Sequence, residues 1–140
     1  IDAASAPNVD FVKPSVRIRG VQMLYEICLR PKFFLRSGPR TRLRILAHEL
    51  LHIGRAFDGT LDPCRRHGNG DSPKFEAALD VLVAAAERAI SPVAMRPLEH
   101  VGLVEMWGWV ARPPSRIRVG SNLRAEWDER DLYRALIEQR

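Results

Sequence analysis

The chain has 140 residues, enough for one compact domain with a buried core. Apolar residues make up 46% and charged residues 28%, a composition that excludes a disordered or fibrous protein. The 22 lysines and arginines outnumber the 17 aspartates and glutamates, so the surface should attract phosphates or acidic partners to some degree.

Cysteine usage and hydropathy indicate the compartment. Cys28 and Cys64 are far apart and lack the paired spacing of a disulfide framework or a zinc ribbon. No apolar run approaches the roughly 18 residues that cross a bilayer, and the first residues lack the basic-then-apolar order of a secretion signal. We therefore expect a cytoplasmic protein that does not enter a membrane.

The beginning of the chain predicts an arm followed by strands. Residues 1–15 are small, polar and interrupted by proline, so we expect a flexible N-terminal arm before a single domain over residues 16–140. From Val16 to Leu29 the residues favour two strands separated near Gly20, or a helix followed by a strand. Pro31 is expected to end this element.

Two helices are predicted in the middle of the chain. The first runs from Pro39 to about Gly54, and the second begins at Ser72 and stops at Ser91-Pro92, with residues 57–70 as a loop between them. The apolar stripe of the first helix consists of Leu43, Leu46, Ala47, Leu50 and Gly54. The buried side of the second consists of Phe75, Leu79, Leu82, Val83 and Ala86.

Residues 92–140 form a C-terminal extension with weaker signals. Val101–Ala111 fits a strand or a buried helix, and residues 112–116 form a basic turn. A last amphipathic helix is predicted from Asp128 to Glu138, with Leu132, Tyr133, Ala135 and Leu136 on its buried side. Strands and helices together predict the α+β class.

The residues with the clearest chemistry lie on the first helix. His48 and His52 are four positions apart, so on a helix their imidazoles can share one cation at about 2.0 to 2.1 Å from each nitrogen. Glu49 lies one step further round the helix, where its carboxylate can act as a base on water. The pattern H-E-x-x-H, here His-Glu-Leu-Leu-His, is typical of zinc peptidases, so Zn²⁺ is the expected cofactor.

A catalytic zinc usually has three protein ligands, and the residues leave the third open. His67 is the first candidate, because a loop with several glycines can return it to the helix. Asp58, Glu76 and the thiol of Cys64 are alternatives. Asp62 or Asp71 would then accept the second ring N–H of a ligand histidine, or cap the loop.

The segment from His48 to His67 resembles a known family, the phage-type metallopeptidases, which are small HExxH zincins. The resemblance rests on these residues: His48–Ile53, Phe57-Asp58-Gly59, Leu61, Arg66 and His67. It covers roughly residues 16–90, and its sharp part is confined to residues 43–68. It implies a minimal zincin-like fold, in which a small twisted β-sheet packs on the active-site helix with further helices, and it supports His67 as the third ligand.

The predicted function is hydrolysis of a peptide bond in a protein or peptide substrate, with Glu49 as the general base. Tyr25, Arg55, Arg66 and Tyr133 are candidates for stabilising the oxyanion. The segment from Tyr25 to Leu29 is either a core strand or an edge that pairs with an extended substrate.

The alternative function belongs to a different class. Four arginines near Trp107 and Trp109 could follow phosphates while the indoles stack on bases, which would make the chain a nucleic-acid-associated basic protein, either a SprT-like protease acting on DNA-bound proteins or a binding module with a structural metal site. These arginines are Arg112, Arg116, Arg118 and Arg124. The two functions are compatible, because SprT-like zincins act on proteins attached to DNA. The oligomeric state is left open.

Overall fold

The computed structural model describes residues 10–65 and 73–140, which divide into two compact units. The strand-rich unit contains the described residues up to Met23 together with Met106–Ala135, and the helical unit contains Leu24–Glu105 and Leu136–Arg140. Helices and small sheets occur together, which confirms the predicted α+β class. The single domain predicted over residues 16–140 stays a prediction.

The regular elements of the described residues are four α-helices and seven short strands. The strands are β1 (Phe11–Val12), β2 (Ser15–Ile18), β3 (Val21–Gln22), β4 (Gly102–Trp109), β5 (Ile117–Arg118), β6 (Glu126–Asp128) and β7 (Leu132–Gln139). The helices are α1 (Pro31–Arg36), α2 (Pro39–Leu51), α3 (Pro73–Ala89) and α4 (Pro92–Glu99). None of these helices has the length and apolar character that crossing a bilayer requires.

Strand β2 lies at the centre of the sheet in the strand-rich unit. It pairs antiparallel with β3 through a turn at Arg19 and Gly20, and parallel with β6, where Val16 lies opposite Trp127. The first strand predicted here is therefore present, whereas the strand expected over Met23–Leu29 is not formed and the two-residue strand β3 precedes it. Of the predicted arm, residues 1–9 lie outside the described residues, whereas β1 pairs antiparallel with β5.

The helix predicted from Asp128 to Glu138 is wrong, because residues 132–139 form strand β7, which pairs with β4. Tyr133 and Leu136, which were expected to be buried, are 51% and 69% exposed. Gly108 on β4 leaves room for the Tyr133 ring, since a Cβ atom there would lie 2.7 Å from it. The apolar spacing of residues 132–139 is compatible with a helix and with a strand, and hydrogen bonding to β4 selects the strand.

The core of the helical unit forms where α2 packs on α3 and α4. Its buried residues are Leu43, Ala47, Leu51, Leu79 and Val83, with Phe75, Leu82 and Ala86 packed against them. The second predicted helix and its buried side are confirmed. The first predicted helix is also present, but it ends at Leu51 rather than near Gly54.

The predicted stripe of α2 is shifted by one position near its end. Leu50 is 49% exposed and Leu51 is buried, because the side that meets α3 follows the i, i+4 line through Leu43 and Ala47. Two further expectations are wrong. Pro31 begins α1 instead of ending an element, since proline suits a first helical turn, and residues 23–30 form no strand.

Arg42 is a charged side chain that is fully buried in this unit, at 1% exposure. Its guanidinium donates to five backbone carbonyls, which belong to Phe34, Leu35, Leu98, His100 and Arg140. Most of these acceptors lie at the carboxyl ends of α1 and α4, where the helix dipole favours a cation. One side chain of α2 therefore joins α1, α4 and the last residue.

Replacement of Arg42 by methionine is expected to lower the free energy of unfolding by about 3 kcal/mol or more, because it leaves several buried carbonyls without donors. Chemical denaturation measures this change. Arg40→Met is the matched control on the same helix: its side chain is 80% exposed and pairs with Glu87, so its cost should stay below about 1 kcal/mol. Equal costs for the two variants would contradict the role given to Arg42.

The turn before β7 predicts a pH effect in the strand-rich unit. The Arg130 guanidinium and backbone N–H hold the pKa of Asp128 at about 2 against an ordinary 3.8. Because the folded pKa is lower, the carboxylate stabilises the fold fully above pH 3.8, and this contribution is lost as the pH falls through 2. In an NMR titration of the carboxyl carbon, Arg130→Met should raise the midpoint. An unchanged midpoint would contradict this cause.

Candidate functional site

His48 and His52 meet at the end of α2. His48 lies in the last helical turn and His52 is the C-cap residue, and their Nε2 atoms are 3.3 Å apart. Two bonds of roughly 2.05 Å to a tetrahedral zinc ion would place two nitrogens about 3.3 Å apart. The donor chemistry and the spacing of this pair therefore fit a shared cation.

The protonation of His52 is set by the backbone. Its Nδ1 atom forms a short contact with the carbonyl oxygen of Arg65. A carbonyl only accepts hydrogen bonds, so Nδ1 carries the proton, and in the neutral ring Nε2 then presents a lone pair toward His48. Metal-binding histidines characteristically donate their second ring N–H in this way.

The chain reverses directly after the helix and brings Arg65 back to it. The Arg65 side chain donates to the carbonyl of Leu51 at 3.0 Å, and the backbone N–H of Asp62 donates to the carbonyl of His52 at 2.9 Å. Both carbonyls belong to the end of a helix, where intrahelical donors are missing. The same loop therefore caps the carboxyl end of α2 and positions the carbonyl that accepts the hydrogen bond from His52.

Close backbone contacts shape this loop. Gly54 donates to the carbonyl of Thr60 at 3.0 Å, and a Cβ atom at Gly54 would lie 2.9 Å from that oxygen, so only glycine fits. The Tyr25 hydroxyl donates to the same Thr60 carbonyl at 3.0 Å and accepts from the N–H of Gly59 at 2.9 Å. Tyr25, a predicted oxyanion group, thus uses its hydroxyl to hold the loop.

Asp62 supports His52 indirectly. Its carboxylate accepts the N–H of Cys64 at 2.9 Å and lies 3.4 Å from the Nε of Arg65. These contacts stabilise the 3-10 turn Pro63–Arg65, which carries the carbonyl that His52 uses. The second ring N–H of a ligand histidine was predicted to bond to the side chain of Asp62 or Asp71. That of His52 bonds instead to the backbone carbonyl of Arg65, which Asp62 helps to position.

Phe75 covers both imidazoles from α3. Its ring centroid lies 4.9 Å from that of His48 in a T-shaped arrangement and 5.4 Å from that of His52 in a stacked one. The sequence placed Phe75 on the buried side of its helix without linking it to the histidines. The only available signal was an aromatic residue in the first turn after the glycine-rich loop.

Glu49 lies where two clefts meet, because its side chain lines both of them. The first cleft also includes His48 and lies against the segment before α1. The second includes His52 and the loop after α2. Within the described parts of the chain, Glu49 forms no ion pair with a lysine or arginine. Its carboxylate therefore lies beside the histidine pair without a basic side chain against it.

The alternative third ligands that are described have other partners. The Asp58 carboxylate accepts the hydroxyl and the N–H of Thr60, and these bonds lower its pKa. Glu76 forms a 2.6 Å ion pair with Arg44. No group of three or more histidine, cysteine or acidic side chains suited to a metal forms within residues 10–65 and 73–140.

The remaining candidates divide by location. His67, Arg66 and Asp71 lie outside the described residues. Arg55 is exposed and lines neither cleft, and Cys64 is an exposed thiol. Their predicted roles stay predictions.

The strand-rich unit combines arginines with aromatic rings, as the nucleic-acid alternative requires. The Arg116 guanidinium lies 4.5 Å from the Phe11 ring, and that of Arg134 lies 4.8 Å from the half-exposed Trp107 ring. Arg124, in contrast, forms a 2.5 Å ion pair with Asp131. One of the four predicted arginines is thus already neutralised by an acidic neighbour.

Comparison of the chain with protein-family models, with curated proteins and with solved structures found no match.

The contact between His52 and Arg65 can be tested by the tautomer of the ring. We expect NMR correlations between ring nitrogens and ring protons to show His52 protonated at Nδ1 in its neutral form, and Asp62→Ala to weaken that preference by loosening the turn. Asp58→Ala, which removes a cap in the same loop but leaves the turn intact, is the control. An Nε2–H tautomer in the unaltered protein would rule out the proposed orientation.

Proposed function

We propose that this chain is a zinc-dependent metallopeptidase with a minimal zincin-like fold. The observation that carries the proposal is the pair of Nε2 atoms 3.3 Å apart, one of them on a ring whose tautomer is fixed by a backbone carbonyl. Glu49, which lies beside this pair at the junction of two clefts, supplies the carboxylate that such a reaction needs.

His48 and His52 would hold the ion through their Nε2 atoms, and His67 is the third ligand that we propose. A bound Zn²⁺ would polarise the scissile carbonyl and lower the pKa of a water molecule to about 7. Arg65 contributes its carbonyl, which keeps the lone pair of His52 directed at the shared position. Phe75 limits the access of bulk water to both rings.

Glu49 would act as the general base and then as the general acid. Its carboxylate takes a proton from the attacking water and returns it to the amine that leaves. An adjacent arginine would oppose proton uptake by stabilising the ionised form, and the described residues place none against it. Asp62 and Glu76 each have an arginine partner, so Glu49 is the best placed carboxylate for this role.

Association with nucleic acid is a second candidate function, and the arginine–aromatic pairs of the strand-rich unit favour it. Such binding would add a nucleic-acid-bound substrate to the peptidase, as in SprT-like proteases. A steep fall of DNA affinity with salt would support it, whereas an affinity that is independent of salt would exclude phosphate contacts.

The expected outcome for the peptidase is one tightly bound zinc ion per chain and cleavage of unfolded casein. Glu49→Gln should retain zinc but lower kcat by about a hundredfold or more, because it removes the general base. His48→Ala and His52→Ala should lose zinc together with activity. Metal analysis by mass spectrometry and a fluorogenic casein assay measure the two properties separately.

Glu87→Gln, on the exposed side of α3, is the matched control for the charge change and should retain both properties. His67→Ala, compared with Asp58→Ala and Glu76→Gln, identifies the third ligand as the one whose loss weakens zinc binding most. Purified protein that retains no divalent ion, or a Glu49→Gln variant that cleaves casein as fast as the unaltered chain, would refute the proposed function.

A further inference from the structure

The first cleft combines an apolar wall with polar and charged residues. It has a volume of about 370 Å³, near the lower end of the range of roughly 300–1,000 Å³ for small-ligand pockets. Such a volume suits one or two side chains. Its apolar lining consists of Leu29, Phe33, Phe34, Ile45 and Leu79. Leu79 is buried at 2% exposure and Phe33 is 61% exposed, so the cleft runs from the core to an open aromatic rim.

Apart from Glu49, the charged side chains of this cleft that come from α2 and α3 are already paired. Arg44 binds Glu76 at 2.6 Å and Asp80 at 2.5 Å, and the carboxylates, Asp80 first, raise the pKa of its guanidinium. A charged side chain that entered the cleft would have to compete with these ion pairs while losing its own hydration. An apolar side chain would only cover apolar surface, which is favourable.

The position of the cleft links it to the candidate site. His48 and Glu49 line it directly, so a group bound there lies next to the proposed catalytic carboxylate. The second cleft, which shares Glu49, is lined by the apolar residues Ile27, Ile53 and Leu61 together with Glu26, Asp62 and Arg65. An extended peptide that crosses Glu49 would therefore have a cleft on either side of that carboxylate.

We propose that the first cleft binds one bulky apolar side chain of the substrate, of the size of phenylalanine, leucine or methionine, next to the bond that is cleaved. This inference rests on the proposed peptidase function for the cleavage step. The binding step depends only on the described walls of the cleft, so it can be measured without catalysis.

The binding test uses N-acetyl-phenylalaninamide and N-acetyl-leucinamide as probes, with N-acetyl-aspartamide and N-acetyl-lysinamide for comparison. Methyl NMR signals of Ile45 and Leu79 should shift saturably with the two apolar probes and not with the charged ones. Thr41→Trp places an indole in the cleft from an exposed helical position and should abolish the shifts. Val81→Trp, on an exposed position of α3 outside both clefts, should leave them unchanged.

Phe33→Ala is the second variant, and it removes an exposed aromatic wall with little risk to the core. In a peptide mixture, the unaltered protein should favour an apolar residue at one position beside the cleaved bond by about tenfold, and Thr41→Trp and Phe33→Ala should reduce this preference. Equal shifts with charged and apolar probes, or a preference that both variants leave intact, would overturn the inference.

The two proposals fail in distinguishable ways. Zinc binding and Glu49-dependent cleavage without apolar shifts at Ile45 and Leu79 would overturn the inference alone. Apolar shifts in a protein that binds no zinc and cleaves no peptide would refute the peptidase function, and with it the position of the bound side chain beside a cleaved bond.

Discussion

The helical unit depends on a buried cation that has backbone carbonyls as its partners. Arg42 reaches from the first turns of α2 to the carboxyl ends of α1 and α4, where carbonyls lack intrahelical donors. Its burial is tolerable because the guanidinium has five donors in a planar fork and can satisfy several acceptors at once. This contact and the packing of Leu43, Ala47 and Leu51 on α3 fix the position of α2 in the unit. The histidines and Glu49 lie in its last turn and at its C-cap, and Phe75 of α3 packs against both imidazoles.

The place where α2 ends determines the geometry of the candidate site. Had the helix continued through Ala56, the carbonyl of His52 would have accepted the N–H of Ala56, and the loop could not have paired with it. Because the helix stops at Leu51, the last carbonyls recruit donors from Asp62 and Arg65, and this return brings the Arg65 carbonyl to His52. The loop that caps the helix therefore also fixes the tautomer of His52.

The sequence was informative where one element carries its own signal. Proline at the first turn and apolar spacing predicted α2 and α3, and the H-E-x-x-H spacing brought His48 and His52 together without reference to the rest of the chain. Prediction from the sequence failed where a segment distant in the chain determines the secondary structure. Residues 132–139 satisfy a helical and an extended spacing alike, and only pairing with β4 selects the strand. The contributions of Arg65 and Phe75 were equally hidden, because both arise from segments that return to α2.

Charge compensation distinguishes Glu49 from the other carboxylates near the histidines. Asp62 and Glu76 each pair with an arginine, Arg65 and Arg44, and the second ring nitrogen of His52 is satisfied by a neutral carbonyl instead of an acid. A carboxylate in that position would have made the imidazole more basic and added a negative charge to the site. Within residues 10–65 and 73–140, Glu49 lines both clefts and has no arginine or lysine partner. A general base must lie within hydrogen-bond reach of the attacking water, and the junction of two clefts gives the Glu49 carboxylate that access.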